Sequence, residues 1–286
     1  MKTPAALKIF LFRLLPKSLI SRIFGYIALI PLPQSLLRGI IRWYSSKYGV
    51  INEYIVPPGG FRNLDQFFTR GLAKGSHPIE DSGAFAVSPV DARVDQLGDI
   101  RDMTIMQAKG IGYSLQQLVP SDMFRKFLWG KFITLYLSPG DYHRIHAPVS
   151  GTIAGYYNLP GTLFTVQDWM TQGLRDLFVK NERVITYIES KAGIVGVCKV
   201  GAMNVGKITL AYCDFQTNRT FRRRREVLYP PAEQTTVKAG DELGIFHLGS
   251  TVIILFQKDA IDFKDLKPGD RIRMGARIGK LRITEK

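Results

Sequence analysis

The sequence predicts an α+β protein in which amphipathic helices at the N-terminus precede a β-rich core. Near residue 84 the apolar spacing changes from a helical period to short β-branched runs separated by Gly, Pro and Asp. With 286 residues, 45% of them hydrophobic, the chain is long enough to bury a substantial core. We therefore expect a helical region over residues 1–50 and a β-rich domain over residues 51–286.

The first fifty residues are both basic and apolar. They contain eight Lys and Arg residues and neither Asp nor Glu. Apolar side chains recur there at the spacing of one helix face: Leu36, Leu37, Ile40, Ile41 and Tyr44. The apolar runs over residues 7–15 and 24–30 are shorter than the roughly 18 residues that a spanning helix needs. Charges within these runs also argue against a signal peptide.

Two interpretations of this region are open. In the first, the helices lie on an anionic membrane, bury their apolar face in it and attract its headgroups through Lys and Arg. In the second, they form a layer on the protein's own core with the basic side in solvent. We favour the membrane, because the net charge of +15 predicts an anionic partner.

In the rest of the chain, Gly, Pro and Asp separate short segments that are typical of strands. After a Pro- and Gly-containing connector, Phe67 and Phe68 predict a short docked helix. Seven segments are then typical of strands: residues 84–87, 131–137, 151–157, 184–188, 194–200, 207–212 and 251–256. The approaches at residues 88–94 and 147–153 look alike, which suggests a pseudo-duplicated barrel or sandwich similar to the hammerhead of biotin- and lipoyl-carrier domains. No lysine stands at a carrier-type hairpin tip, so a carrier function is not expected.

The two cysteines predict neither a disulfide framework nor a thiolate metal site. Cys198 and Cys213 are far apart in sequence and lie in apolar, strand-like surroundings. A reducing location that faces the cytosol is the simpler interpretation.

A Gly-Ser pair stands at the entrance of the last predicted strand. Ser250 directly follows the carbonyl of Gly249, so a base that takes the hydroxyl proton would let its oxygen attack that carbonyl. The peptide would move onto the side chain as an ester, and elimination would break the chain. The new amino terminus would carry a ketone.

Two of the four histidines of the chain, His143 and His146, stand three residues apart after a predicted strand. They could bind a metal or simply bond to the backbone, but no third ligand follows at a familiar spacing, and we expect no metal. Asp91 stands between Pro89 and a predicted turn and could be either a turn former or an acid. An acid, a base and a hydroxyl are thus available as Asp91, His146 and Ser250, the set that a serine-protease triad uses.

These segments carry a resemblance to a known family. Leu248-Gly249-Ser250-Thr251 resembles the self-cleavage motif of the phosphatidylserine decarboxylases. Asp141-Tyr142-His143-Arg144-Ile145-His146-Ala147-Pro148 closely matches that family's Asp-Tyr-His-Arg-x-His-x-Pro segment. Phe67-Phe68-Thr69-Arg70 is similar to another recurrent segment, whereas Ala92 departs from the family's usual Gly after the acid. The resemblance runs from about Phe61 to Phe256.

The resemblance implies a proenzyme that cuts itself between Gly249 and Ser250. The products would be a β chain of residues 1–249 and an α chain of residues 250–286 that begins with a pyruvoyl cofactor made from Ser250. This group would form a Schiff base with phosphatidylserine and yield phosphatidylethanolamine.

The resemblance also implies roles for individual residues. Asp91 and His146 would activate Ser250 for cleavage. Our hypothesis for the proton donor in decarboxylation is His143, because it stands close in sequence to that base. Phe164 and Val166 would line the substrate pocket. No metal is implied.

The expected partners follow from these roles. They are the phospholipid substrate, an anionic membrane surface on the cytoplasmic side of the cell membrane, and the chain's own two fragments as a heterodimer that could dimerise further. The four arginines at residues 222–225 come with no nucleic-acid motif, so no nucleic acid is expected.

Three other functions are weighed against this one. Leu248 and Val252 stand where a hydrolase elbow needs glycine, which argues against an α/β-hydrolase. A pyruvoyl decarboxylase of a soluble amino acid, and a non-catalytic β-domain tethered to a membrane, stay open as alternatives.

Overall fold

The computed structural model describes residues 5–80, 83–108, 110–203, 207–218, 223–247 and 251–283. Over these residues helices come first and a β-rich core follows, which confirms the predicted α+β class. Two short 3-10 helices, Asp122–Phe127 and Pro231–Glu233, interrupt the core. The α-helices are α1 (Ala5–Leu14), α2 (Lys17–Leu29), α3 (Gln34–Tyr48), α4 (Leu64–Phe68), α5 (Leu115–Leu118), α6 (Asp168–Thr171) and α7 (Leu177–Lys180).

Seventeen short strands lie among the described residues that follow helix α4, and they include all seven that the sequence predicts. The strands are β1 (Phe85–Val87), β2 (Ala92–Asp99), β3 (Thr104–Ala108), β4 (Ile111–Ser114), β5 (Lys131–Tyr136), β6 (Arg144–His146), β7 (Gly151–Leu159), β8 (Arg183–Ser190), β9 (Gly193–Val200), β10 (Ile208–Leu210), β11 (Arg225–Leu228), β12 (Thr235–Val237), β13 (Glu242–Phe246), β14 (Thr251–Phe256), β15 (Ile261–Phe263), β16 (Arg271–Ile272) and β17 (Arg277–Leu281).

The largest sheet has nine antiparallel strands. Eight follow the order β11-β7-β8-β9-β14-β5-β2-β16, and β12 also pairs with β7. Three smaller sheets have the orders β1-β17-β15, β10-β13-β6 and β3-β4. The barrel that the sequence allowed is wrong, because among the described residues the outer strands of the large sheet do not pair with each other. The edge strand β16 has only two residues, too few to carry the ladder further round.

Strand β14 lies at the centre of the large sheet. All six of its residues are buried, and it pairs along its whole length with β5 on one side and β9 on the other. Burial on both faces explains why its sequence is a continuous β-branched and apolar run rather than an alternating one.

The two similar approaches that the sequence suggested lie side by side. The N–H of Val87 donates to the carbonyl of Pro148, and the N–H of His146 donates to the carbonyl of Pro89, both at 2.9 Å. Strands β2 and β7 continue from these two segments. This reciprocal pairing brings Asp91, on one approach, close to the histidine segment that precedes the other.

The N-terminal helices have an inner side that packs on the protein. Helices α2 to α4 share a small apolar core formed by Leu37, Val50, Phe61, Phe67 and Phe68. Helix α1 instead packs on the main core through Ile9. Short helix α4 carries Phe67 and Phe68, as the sequence predicts.

The outer side of these helices exposes large apolar side chains. Exposed residues include Phe10, Leu14, Ile23, Tyr26 and Trp43, the last two at 72% and 60%. No described helix is long and apolar enough to cross a membrane. Both cysteines are free, as the sequence predicts.

Removal of apolar volume from β14 should destabilise the fold strongly. We expect Ile254→Ala to lower the free energy of unfolding by about 2–5 kcal/mol, because removal of this fully buried side chain leaves a cavity in the core. Urea denaturation measures the loss in a Ser250→Ala background, which removes the hydroxyl expected to start self-cleavage. Leu228→Ala, at a side chain that is 54% exposed, is the control and should change stability by no more than about 0.5 kcal/mol. Equal losses in the two variants would contradict the central place of β14.

Candidate active site

The two histidines of the motif lie at opposite ends of strand β6: His143 directly precedes it, and His146 is its last residue. This strand pairs with β13, with His146 opposite Glu242 and Arg144 opposite Ile245. The N–H of Phe246, at the end of β13, donates to the carbonyl of His143 at 2.9 Å. The chain therefore leaves β13 beside His143, two residues before the Gly-Ser tetrad begins.

His146 is buried and held in one tautomer. Its Nδ1 lies 2.7 Å from the carbonyl oxygen of Gly240, which can only accept, so Nδ1 carries the proton. Its Nε2 lies 2.9 Å from the hydroxyl of Tyr142. Burial lowers the pKa of His146, and in the neutral ring Nε2 accepts the Tyr142 proton. The basic atom of the ring is thus Nε2, and the Tyr142 hydroxyl occupies it in this structure.

A glycine at position 240 suits the turn whose carbonyl orients His146. Gly240 has φ +89°, a left-handed conformation, and a Cβ there would come 2.7 Å from the side chain of Ile79. A larger residue would strain the turn whose carbonyl orients His146.

His143 is completely buried. Its Nδ1 donates to the carbonyl of Asp141 at 2.6 Å, and its Nε2 is buried without a hydrogen-bond partner among the described residues. Burial, together with the positive charge of Arg70, lowers the pKa of His143 to about 3. The ring is therefore neutral at pH 7, and within the described ranges no donor reaches the lone pair of Nε2. An orphaned buried nitrogen of this kind is where an additional polar group would be accommodated.

Arg70 ties the histidine loop to the helical layer. Its buried guanidinium donates to the carbonyls of Phe67, Gly140 and Asp141 at 3.3, 2.9 and 3.1 Å. From helix α3, the Tyr44 hydroxyl donates to the carbonyl of the neighbouring Pro139 at 2.8 Å. The loop that carries His143 is consequently fixed from the side of the N-terminal helices.

Asp91 is near the histidines but bonded elsewhere. Its Oδ1 accepts from the N–H of Met274 at 2.8 Å, and its two oxygens lie 3.0 and 3.1 Å from Nε2 of His77. Asp91 and His146 share no hydrogen bond, since Gly240 and Tyr142 occupy the two imidazole nitrogens. The negative charge of Asp91 is still close enough to raise the pKa of His146 slightly against the larger effect of burial.

Leu248, Gly249 and Ser250 lie outside the described residues, but both flanks are described. Before them, Nδ1 of His247 lies 2.7 Å from Oδ1 of Asp65 on helix α4. After them, Thr251 opens β14 opposite Tyr136 and Val200, and its Oγ1 is buried without a partner among the described residues.

Phe164 and Val166, the expected pocket residues, lie in the main core. Phe164 is only 7% exposed, and both its N–H and its carbonyl are bonded to the side chain of Asn181. The Nζ of Lys17, on helix α2, lies 4.4 Å from the centre of the Phe164 ring. This segment is thereby linked to the N-terminal helices.

A basic cleft of about 1040 Å³ lies away from these residues. Arg125, Lys126, Lys191 and Lys258 line it, beside the first residue of β9 and the end of β14. The histidine loop lies by the opposite ends of those strands, so we do not assign the cleft to the same chemistry.

Among the described residues, no group of three His, Cys, Asp or Glu side chains could hold a metal ion.

The motifs alone did not reveal four of these residues: His77, Arg70, Tyr142 and Gly240. His77 carries one usable signal, since it is one of only four histidines. Arg70 and Tyr142 stand inside recognised motifs, although their contacts depend on long-range packing.

Comparison with known proteins decides the family. The model of the family described as phosphatidylserine decarboxylase matches residues 64–280, which include the histidine loop, Asp91 and the Gly-Ser tetrad. The chain belongs to the phosphatidylserine decarboxylase family. It is therefore a member of an enzyme family.

Relatives within the phosphatidylserine decarboxylase family align over nearly the whole chain. A phosphatidylserine decarboxylase proenzyme of Myxococcus xanthus is 39% identical over 94% of this chain and 96% of its own length. Proenzymes of the same name from Idiomarina loihiensis and Shewanella amazonensis are 37% and 39% identical over 97% and 96% of this chain, and over 97% and 98% of their own lengths. The similarity thus includes the N-terminal helices.

The buried neutral state of His143 makes stability depend on pH. Its pKa of about 3 in the folded chain lies below its usual value of 6.5, so between these values the unfolded chain binds a proton that the folded chain does not. The free energy of unfolding should fall by about 1.4 kcal/mol per pH unit below pH 6.5, or about 2 kcal/mol at pH 5. Urea denaturation at pH 7 and pH 5 in a Ser250→Ala background should show that His143→Asn removes this part of the dependence. The same dependence in both variants would rule out the assigned protonation state.

Proposed function

We propose that this chain is a proenzyme that cleaves itself between Gly249 and Ser250 and, once matured, decarboxylates phosphatidylserine to phosphatidylethanolamine. The observation that carries the proposal is a buried histidine, His146, with Nε2 as its basic atom in a chain of this family. Asp91, whose charge favours the protonated form of His146, supports the same role.

Self-cleavage begins with proton transfer. The hydroxyl of Ser250 takes the place of the Tyr142 hydroxyl at Nε2 of His146 and passes its proton to that nitrogen, while Oγ bonds to the carbonyl carbon of Gly249. The peptide C–N bond breaks as its nitrogen takes that proton from His146. A base then removes the α-proton of Ser250, the Cβ–Oγ bond breaks, and the carboxylate of Gly249 leaves. The resulting enamine gains a proton at Cβ, and water hydrolyses it to a ketone and ammonia.

The residues around the tetrad fit the pyruvoyl group that this reaction would leave. Nε2 of His143 and Oγ1 of Thr251 are both buried and lack a partner among the described residues. A group with two carbonyl oxygens next to Thr251 could accept a hydrogen bond from its hydroxyl, whereas Nε2 of His143, which can only accept, would suit the amino group of the substrate. When present, the pyruvoyl group supplies the carbonyl that takes up the substrate's amino group and withdraws electrons as carbon dioxide leaves.

His143 is the proposed proton donor in decarboxylation. Because its pKa is about 3, Nε2 starts without a proton and must acquire one before it can donate. The ammonium of the serine headgroup has a proton to lose when it reacts. Nε2 can hold that proton and return it to the α-carbon after carbon dioxide has left.

The two fragments should stay together after cleavage. Strand β14 would belong to the α chain, while its partners β5 and β9 would belong to the β chain, with six residue pairs on each side. Strands β16 and β17 would add pairings to β2 and β1. The mature protein is therefore a heterodimer of its own fragments in this proposal.

We further propose that the N-terminal helices hold the enzyme on the cytoplasmic side of the cell membrane as a peripheral protein. Their outer side combines exposed residues such as Phe10, Tyr26 and Trp43 with Lys and Arg, which suits an anionic surface. Phe164 and Val166 are only 7% and 4% exposed, so in this proposal they would line an inner pocket for the lipid, which Lys17 of the helical layer borders at Phe164.

The decisive experiment is an intact-mass measurement under denaturing conditions. The parent chain should give two fragments divided after Gly249, the smaller one without a free amino terminus, whereas Ser250→Ala should stay whole because it lacks the nucleophile. Phosphatidylserine vesicles should then lose carbon dioxide with the parent only. An uncut parent would favour the non-catalytic β-domain, and turnover of free serine at an equal rate would favour a soluble substrate.

Alanine variants of His143 and His146 should fail at different steps of the proposed reaction. We expect His143→Ala to cleave itself but to lose decarboxylase activity by about 100-fold or more, the usual contribution of a general acid. His146→Ala should remain uncut, because Ser250 would lose its base. Gel analysis follows cleavage, and carbon dioxide release from vesicles follows turnover. An uncut His143→Ala chain would instead place His143 in maturation.

A further inference from the structure

A histidine outside the motifs, His77, contacts Asp91 in the candidate site. His77 lies in the connector between α4 and β1, and its side chain is 3% exposed. Its Nε2 faces both oxygens of Asp91 at 3.0 and 3.1 Å, and its Nδ1 lies 3.0 Å from Oγ of Ser76. Both imidazole nitrogens are therefore engaged.

A count of protons gives the charge of this histidine. Oγ of Ser76 donates its single proton to the carbonyl of Ala73 at 2.8 Å, so towards His77 it can only accept. The carboxylate of Asp91 also accepts, as it does from the N–H of Met274. Both nitrogens of His77 must then donate, which makes the ring an imidazolium.

The surrounding charges are consistent with a cation at this position. Besides Asp91, the carboxylate of Glu53 lies 3.8 Å from Nδ1 of His77. Arg273 pairs with the same Glu53 at 3.2 Å. The cluster thus has two carboxylates and two cations, and the partly buried Asp91 obtains its counter-charge from His77.

We infer that His77 is a positioning residue for self-cleavage, which holds Asp91 as an oriented carboxylate beside His146. The inference rests on the proposed function of Asp91, His146 and Ser250. When His146 takes the proton of Ser250 it becomes positive, and the negative charges of Glu242 and Asp91 both favour that form. Without a cation at position 77, Asp91, whose side chain is only 17% exposed, loses the charged partner that faces both of its oxygens.

The test compares two variants of His77 by the rate of self-cleavage after synthesis in a cell-free system. His77→Gln keeps a hydrogen-bond donor but removes the charge, and should slow cleavage about ten-fold or more, since charge-assisted hydrogen bonds are about twice as strong as neutral ones. His77→Arg keeps a permanent cation and should cleave within about three-fold of the parent. A purely structural role would not favour the larger arginine over the nearly isosteric glutamine.

Stability is measured separately to keep the comparison clear. Each variant is also made with Ser250→Ala, and its thermal unfolding must match that of the Ser250→Ala parent within a few degrees. If His77→Gln does not fold, Ser76→Ala is the second variant. It removes the acceptor of Nδ1 while the imidazole remains, and should slow cleavage several-fold.

The outcomes separate this inference from the proposed function. If the parent does not cleave, the proposed function fails. If the parent cleaves and the folded His77→Gln variant, or Ser76→Ala in its place, cleaves equally fast, the role of His77 is refuted while the proposed function stands. Folded His77→Arg that is as slow as His77→Gln also refutes it. In an Asp91→Asn background, His77→Gln should add no further loss.

Discussion

Two backbone hydrogen bonds between similar proline-containing segments bring the site together. The Val87 N–H bonds to Pro148 and the His146 N–H to Pro89, each at 2.9 Å. They join a turn that carries Asp91 to the strand that carries His146, although 55 positions separate the two residues in sequence (146 − 91). Other segments then hold each side of this crossing, since the Gly240 carbonyl contacts His146 and the Met274 N–H contacts Asp91.

The helical layer and the catalytic core act on the same short loop from opposite sides. Arg70 and Tyr44 hold the carbonyls of residues 139–141, whereas strand β13 holds His143 through Phe246. The helices that we propose to face the membrane therefore contact the histidine loop directly. Contact with lipid and the proposed chemistry of the histidines would thus depend on the same rigid part of the structure. The same arrangement excludes water from His143, which is why its ring is neutral.

Sequence patterns predicted those parts of the fold that depend on local order. The helices at the N-terminus, the seven strands and the docked Phe67 and Phe68 follow from periodicity and β-branched runs. The open form of the large sheet was not predicted, because closure depends on strands such as β16, which has too few residues to leave a pattern in the sequence. In the site, the motif identified His143 and His146, but their partners Gly240 and Asp141 are backbone carbonyls, and a carbonyl has no sequence signature. The His77 contact with Asp91 likewise joins two ordinary loop residues.

The bond from Met274 to Asp91 has a consequence for the proposed mature protein. Met274 follows Ser250 in the chain, so it would belong to the α chain, whereas Asp91 and His146 would belong to the β chain. The acid beside His146 would then be held by groups from both fragments. In an architecture of this kind, the geometry around His146 would depend on the two fragments remaining associated after the chain is cut.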